Sequence, residues 1–244
     1  MKNIKFYALL ALLVICAAGC TKPDEPDNSG NDNGGDNGGG DNVSDTTMVM
    51  ESVDLGLPSG ILWATCNIGA DTPEGFGDYF AWGETMPKDT YNWTTYRHCN
   101  GSFNQLTKYC SNSDLGYNGF VDNLTTLEPI DDAATANWGS GWRTPTQAEW
   151  QELYDNTNGT WHTRNGVKGW LFTATNGNSL FLPAAGCRWG DLFLVNGDYG
   201  EYWSSSFFDL YCAWYFSIDP ACGSYIGNSD RFVGFTIRPV RSAK

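Results

Sequence analysis

The stretch WLFTATNGNSLFLP, residues 170–183, indicates which kind of sheet this half of the chain forms. Two runs of apolar and β-branched residues, 170–175 and 179–183, flank Asn176-Gly177-Asn178. Asn-Gly between such runs is the strongest short-range signal for a β-hairpin. Strands joined by so short a turn are antiparallel. We therefore expect an antiparallel sheet in this half of the chain.

Further strands are predicted on both sides of this hairpin. Downstream, Trp203 and the apolar runs 213–218 and 233–238 extend the sheet. Upstream, the turn Pro58-Ser59-Gly60 introduces an apolar run at 61–64, and 78–83 reads as another short strand. Residues 91–119 are polar and predict a long irregular loop.

Two helices are predicted in the middle of the chain. Acidic residues open the first, at 129–137, where they suit the helix dipole. In the second, Thr144 can cap, Pro145 suits the first helical position and Gln147 can complete a capping box, with the helix ending near Asn156. Strands, then helices, then strands predict an α+β fold with an antiparallel sheet.

The N-terminal residues 1–19 are typical of a lipoprotein signal peptide. Lys2 and Lys5 precede an apolar run, 6–18, that is too short to span a bilayer. The following Ala17-Ala18-Gly19-Cys20 resembles a bacterial lipobox, in which Cys20 receives the lipid that anchors the protein to a membrane. An ordinary secretory signal cleaved nearby is the alternative.

Residues 20–47 predict a flexible tether, because Gly, Asn and Asp dominate and no aliphatic residue precedes Val43. Calcium-binding glycine-aspartate repeats are the alternative, but those also require an aliphatic residue at each turn. The acidic residues Asp24, Glu25 and Asp27 resemble the surface-export signal of Bacteroidota lipoproteins. We therefore expect the protein to be anchored in the outer membrane by its lipid and to face the outside of the cell.

Residues 48–244 are long enough for one domain with a sizeable core. The chain has a net charge of −14, which argues against nucleic acid as a partner and against adhesion to anionic lipid. Aromatic residues make up 15% of it and charged residues only 17%, as in extracellular binding domains rich in β-structure.

Cysteines and histidines do not predict a metal site or another cofactor. Of the eight cysteines, Cys16 leaves with the signal and Cys20 takes the lipid. Export permits disulfides among the other six, with fifteen possible connectivities. There is no CxxC motif, and His98 and His162 are not spaced as zinc ligands with any cysteine pair.

Six motifs in order resemble the Fibrobacter succinogenes major paralogous domain, found in exported proteins of gut Bacteroidota. They are VDLGLPSGILWATCNIGA, FGDYFAWGET, DDAATANWGSGWRTPTQAEWQEL, LFLPAAG, GEYWSSS and GFTIRPVR, and the resemblance covers nearly all of residues 53–241. The resemblance implies a C-type-lectin-like fold, with two helices flanking a twisted antiparallel sheet and long loops. It also implies ligand binding at the cell surface, including adhesion, without catalysis.

The same motifs occur in variable proteins diversified by retroelements, in which adenines of the segment before the closing strand are mutagenised. The asparagine codons of such segments cannot become Lys, Gln, Glu, Met or Trp. Residues 188–240 contain no Lys, Gln or Met, which is compatible with such diversification, but they do contain Glu201 and the tryptophans 189, 203 and 214.

The C-terminal third predicts a contact surface made of aromatic and acidic residues. Around Trp214, alternation places part of the aromatic content in the core, and Trp203 is expected there too. Other rings lie beside Gly, Asp and Ser, which predict loops at 188–200, 206–212 and 222–232. Tyr and Phe supply rigid contact area, and Asp and Asn adjustable hydrogen bonds. The candidate ligand-binding residues are Trp189, Asp191, Phe193, Asp198, Tyr199, Phe207, Phe208, Asp209, Tyr211, Tyr225, Asn228, Asp230 and Phe232.

The predicted partner is an external protein or glycan. Three other functions stay open. The first is a carbohydrate-active enzyme, which needs paired carboxylates, and acidic residues are plentiful in this chain. A formylglycine-generating enzyme, which uses a reactive cysteine pair, is disfavoured because Cys212 and Cys222 do not lie in the motif of that family. A calcium-dependent lectin would need more than Glu128-Pro129-Ile130, since Ile cannot coordinate a metal. A structural subunit of a surface assembly is the third.

Overall fold

Residues 50–194 and 197–243 are described by a computed structural model. The predicted signal peptide, the lipidation at Cys20 and the tether 20–47 lie outside these residues. Within the described ranges, no helix is long and apolar enough to cross a bilayer.

Eleven strands and two α-helices form the regular structure of the described residues. The strands are β1 (Ser52–Asp54), β2 (Ile61–Ala64), β3 (Thr157–Arg164), β4 (Val167–Ala174), β5 (Ser179–Pro183), β6 (Cys187–Trp189), β7 (Leu192–Leu194), β8 (Gly200–Asp209), β9 (Cys212–Asp219), β10 (Gly223–Asp230) and β11 (Val240–Ser242). The helices are α1 (Ala133–Trp138) and α2 (Gln147–Asn156), and short 3₁₀ turns lie at Tyr117–Gly119 and Pro129–Asp131.

All strand pairs are antiparallel, and they form four small sheets: β1-β2-β11, β3-β4-β5, β10-β9-β8 and the hairpin β6-β7. The hairpin predicted at 170–183 is present, with Phe172 opposite Leu180 across the Asn-Gly turn. The antiparallel pairing expected from that turn is therefore confirmed.

The expected C-type-lectin-like fold, α+β with two helices flanking one twisted antiparallel sheet, is wrong. The described residues are mostly β, with 39% in strands and 11% helical, and the strands divide among four sheets. The helices are short, with six residues in α1 and ten in α2. Strands predicted at 78–83 and 233–238 are reduced to isolated bridges such as Phe80 with Phe235.

Both helices begin later than expected. The side chains of Asp132 and Thr146 cap them by accepting hydrogen bonds from backbone N–H groups of the first turn. Asp132 caps α1 by accepting from the N–H groups of Ala134 and Thr135. It also accepts from the backbone N–H and the hydroxyl of Thr144, so that residue does not cap α2. Thr146 is the cap of α2 instead, in a capping box with Glu149.

The sheet β10-β9-β8 separates two hydrophobic clusters. Neighbouring residues of β8 point to opposite faces, so Trp203 enters the first cluster and Tyr202 the second. The first cluster also holds Trp82 and Phe235, and the second is centred on Trp150 of α2. Trp150 stacks on Phe216 of β9 with ring centroids 4.7 Å apart. The expectation that Trp203 packs in the core is confirmed.

Candidate functional site

The three segments predicted to be loops are mainly strands. Residues 188–194 form most of the hairpin β6-β7, 206–209 end β8, and 223–230 are β10. β10 is rich in Gly, Ser and Asn, but each of its residues has a partner on β9, from Gly223 opposite Asp219 to Asp230 opposite Cys212. Pairing with an apolar neighbour therefore makes it a strand despite its composition.

The hairpin β6-β7 is held to the rest of the domain by backbone pairs along β6 and at its turn. Gly190 and Tyr91 exchange two N–H···O bonds, as do Arg188 and Gly234. The Thr90 hydroxyl donates to the Asp191 carboxylate at 2.6 Å. Asp191 therefore stabilises the turn of the hairpin.

This hairpin presents four large apolar side chains to solvent. Trp189 and Phe193 are each 49% exposed, Leu192 61% and Leu194 42%. The Phe193 ring contacts Tyr79 edge-on at 5.1 Å, and the Arg188 guanidinium lies 4.9 Å from its centroid. The rings are therefore positioned by neighbours even though half of their surface is exposed.

Trp189 begins a continuous series of ring contacts. Trp189 packs edge-on against Phe232 at 5.0 Å, and Phe232 against Trp93 at 5.1 Å. Trp93 then contacts Tyr211 at 5.9 Å, and Tyr211 contacts Phe103 at 5.2 Å. We call Trp189, Trp93, Tyr211 and Phe103, together with Leu192, Phe193 and Leu194, the aromatic surface.

One predicted site residue is not available to a ligand. Phe232 is only 5% exposed and belongs to the first hydrophobic cluster, so its prediction as a contact residue is corrected. It supports Trp189 and Trp93 from below. Phe103 and Trp93 were missed because they lie in the polar segment 91–119, where no pattern distinguishes them from other loop residues.

The turn between β8 and β9 exposes further rings. Phe208 is exposed and packs edge-on against Trp214 at 4.5 Å, beside the exposed Asp209. Phe207 points the other way, packs on the first cluster and lies 5.3 Å from the Arg231 guanidinium. Phe207 is therefore mainly a supporting residue.

The predicted residues of β10 lie apart from the series of ring contacts. Tyr225 is exposed and contacts Tyr215 at 6.4 Å, and Asn228 is exposed further along the strand. Asp230 is half-buried and accepts from the Cys212 thiol at 3.6 Å. Burial raises the pKa of Asp230.

A polar group lies beneath the hairpin. The Tyr199 hydroxyl donates to the Leu194 carbonyl at 3.1 Å and lies 3.5 Å from Cys187 Sγ. Burial raises the pKa of Glu201 to about 7 and that of the Cys187 thiol to about 12. The exposed Asp198 pairs with Lys168 at 3.1 Å. Tyr199 therefore stabilises the end of β7, and Asp198 links the segment before β8 to β4.

A second polar group combines residue types used in catalysis, but it is buried. Asp131 accepts from Lys108 Nζ at 2.6 Å and from the Tyr109 hydroxyl at 2.7 Å. His98 Nε2 lies 2.8 Å from the Gly83 carbonyl, and burial lowers the pKa of His98. Because His98, Tyr109 and Asp131 are buried and engaged, the group stabilises the segment 83–131.

The described residues show six free cysteines, so they provide no disulfide pairing. Among them no group of three His, Cys, Asp or Glu side chains is arranged to hold a metal ion.

No family model, curated protein or solved structure matches this chain. Its function is therefore inferred from the geometry of the described residues and from the sequence motifs.

Proposed function

We propose that this protein is a lipoprotein of the outer cell surface that binds an external ligand through the aromatic surface, without catalysis. The observation that carries the proposal is the series of ring contacts from Trp189 to Phe103, continued by the exposed apolar side chains of the hairpin β6-β7.

Contiguous apolar side chains on a water-soluble domain favour a partner that removes them from water. Each ring of the aromatic surface is held by a neighbouring ring, so little conformational entropy is lost on binding. Leu192 and Leu194 cannot stack on a sugar as a ring does. A protein is therefore the preferred ligand, and a glycan the alternative.

The surface location is proposed from the signal and tether residues. The lipobox at Ala17-Ala18-Gly19-Cys20 would anchor the chain, and the tether 20–47 would hold the domain away from the membrane. Trp189 and Tyr211 lie in the segment 188–240, where the retroelement resemblance implies variation, whereas Trp93 and Phe103 do not.

The proposal is tested by peptide-display selection on the immobilised mature chain, followed by comparison of variants. We expect the selected peptides to bind the wild type and to lose at least about tenfold in affinity for Trp189→Ser/Leu192→Ser/Phe193→Ser, because a few buried apolar anchors dominate such interfaces. The melting temperature of this variant should stay close to that of the wild type, since all three side chains are exposed.

Tyr154→Ser is the matched control, because Tyr154 on α2 is 48% exposed and does not belong to the aromatic surface. It should bind the selected peptides like the wild type. Peptides that bind all three proteins equally would contradict the proposed site. A glycan array on which the triple variant alone loses its signal would identify a glycan instead of a protein.

A further inference from the structure

A cavity of about 550 Å³ lies between the segment that follows β2 and the end of α1. Its wall includes Glu51, Asp71, Asp78, Trp138, Met50 and Ile68, and no residue of the aromatic surface. Cavities of this size are typical of small-molecule sites.

The polar side of the wall is acidic. Three carboxylates, from Glu51, Asp71 and Asp78, line the cavity, and no Lys, Arg or His does. Within the part of the chain that the structure describes, none of the three takes part in an ion pair. The cavity therefore presents negative charge that a cationic ligand would complement.

The apolar side of the wall contains the ring of Trp138. Trp138 is positioned by Trp142, which contacts it edge-on at 5.3 Å. The Trp142 ring already has the Arg241 guanidinium 5.1 Å from its centroid, whereas no described Lys or Arg lies over Trp138. Met50 and Ile68 add apolar contact area. Carboxylates beside a tryptophan face recognise organic ammonium groups.

The backbone holds one of these carboxylates in place. The Asp78 N–H donates to the Ile68 carbonyl at 2.8 Å. Gly69 has a φ of +79°, and a Cβ at this position would collide with the Asp78 carboxylate. Glycine at 69 therefore lets Asp78 lie against the chain at the wall of the cavity.

A metal ion fits this wall less well than an organic cation. Among the described residues, no three carboxylate, thiol or imidazole groups converge closely enough to ligate one ion. An organic cation needs no such convergence, because its charge can approach one or two carboxylates while its apolar part covers Trp138.

We propose that this cavity binds a small organic cation with an apolar arm, of the arylalkylamine or quaternary ammonium class. The site is separate from the aromatic surface and does not depend on the function proposed for it.

The test is an isothermal titration of the mature chain with benzyltrimethylammonium at low ionic strength. We expect saturable binding to the wild type and about tenfold weaker binding to Asp71→Asn/Asp78→Asn, because two of the three carboxylate charges of the wall are removed. Trp138→Leu should also weaken binding, and benzyl alcohol, which lacks the charge, should bind much less.

Asp114→Asn/Asp155→Asn is the matched control, because it changes the net charge equally at exposed residues outside the cavity wall. Its affinity should equal that of the wild type. Equal weakening of both double variants, equal binding of benzyl alcohol, or displacement of the probe by calcium at equal concentration would each overturn the proposal. If Asp71→Asn/Asp78→Asn fails to fold, the single Asp71→Asn variant, altered at an exposed side chain, serves in its place.

Discussion

Glu201 is a half-buried carboxyl group on β8, close to the Cys187 thiol. Burial raises the pKa of Glu201 from its ordinary 4.5 to about 7. The partial burial of Glu201 could not be predicted, because its neighbours Gly200 and Tyr202 do not reveal which face of β8 it occupies. Trp203 could be predicted, since a large ring in an apolar strand is almost always packed.

Glu201 makes the free energy of unfolding depend on pH. Its folded pKa lies above its unfolded pKa, so its contribution is complete below pH 4.5 and is lost as pH rises to about 7. The loss is on the order of 2–3 kcal/mol. We expect Glu201→Gln to match the wild type near pH 4.5 and to exceed its stability at pH 8, as measured by urea unfolding.

Asp155→Asn is the control for this pH profile, because Asp155 is exposed on α2. Its curve should run parallel to that of the wild type. If Glu201→Gln instead follows the wild-type curve from pH 4.5 to 8, the burial of that carboxyl does not affect stability.

At the scale of elements, the start of α2 shows what local sequence can and cannot predict. The string Thr144-Pro145-Thr146 contains two possible caps, and only the contact of Thr144 with Asp132, twelve residues upstream, decides between them. Strand β5 was predicted with its observed bounds, and β9 to within one residue at each end, because both are apolar. Strands β3 and β10 were not, because their polar residues form strands only through their partners β4 and β9.

Thr146 should be important for the stability of α2. Its hydroxyl accepts from the Glu149 N–H at 3.2 Å, and the Glu149 carboxylate accepts from the Thr146 N–H at 2.8 Å. We expect Thr146→Ala to lower the free energy of unfolding by about 1 kcal/mol, because an N–H of the first turn loses its acceptor. Chemical denaturation measures this change.

Thr146→Ser retains the hydroxyl and should stay within a few tenths of a kcal/mol of the wild type. A serine variant as unstable as the alanine variant would show that the methyl group, rather than the cap, matters at this position.

For the whole molecule, the order of strands and helices predicted the wrong assembly. Three of the four sheets are made of consecutive strands, but β11 joins β2 by pairing Val240 with Trp63, and the isolated bridge of Arg188 with Gly234 also links distant segments. No local pattern reveals these distant pairings. The aromatic surface was predicted only in part, because it too depends on contacts between distant segments. Trp189 and Tyr211 come from the C-terminal third, whereas Trp93 and Phe103 reach them from a segment about a hundred residues earlier.

The proposed anchoring also concerns the whole molecule. We expect Cys20→Ser to prevent lipid attachment, so that the protein moves from the membrane fraction to the soluble fraction and no longer incorporates labelled palmitate. Cys222→Ser, at an exposed cysteine of the domain, should leave both properties unchanged. Palmitate labelling that persists in Cys20→Ser would contradict the lipobox interpretation.

The short strand β1 gives the proposed tethered protein a mechanical property. A ligand that pulls on the domain would load the chain first at Glu51, whose carbonyl accepts from the Thr65 N–H. The tension would then reach the three paired residues of β1, which are Ser52 with Ala64, Val53 with Trp63 and Asp54 with Leu62. Trp63 also pairs with Val240 of β11, so the same buried tryptophan joins the first and last strands. The load would therefore strip β1 from β2 before it reached the sheets that support the aromatic surface.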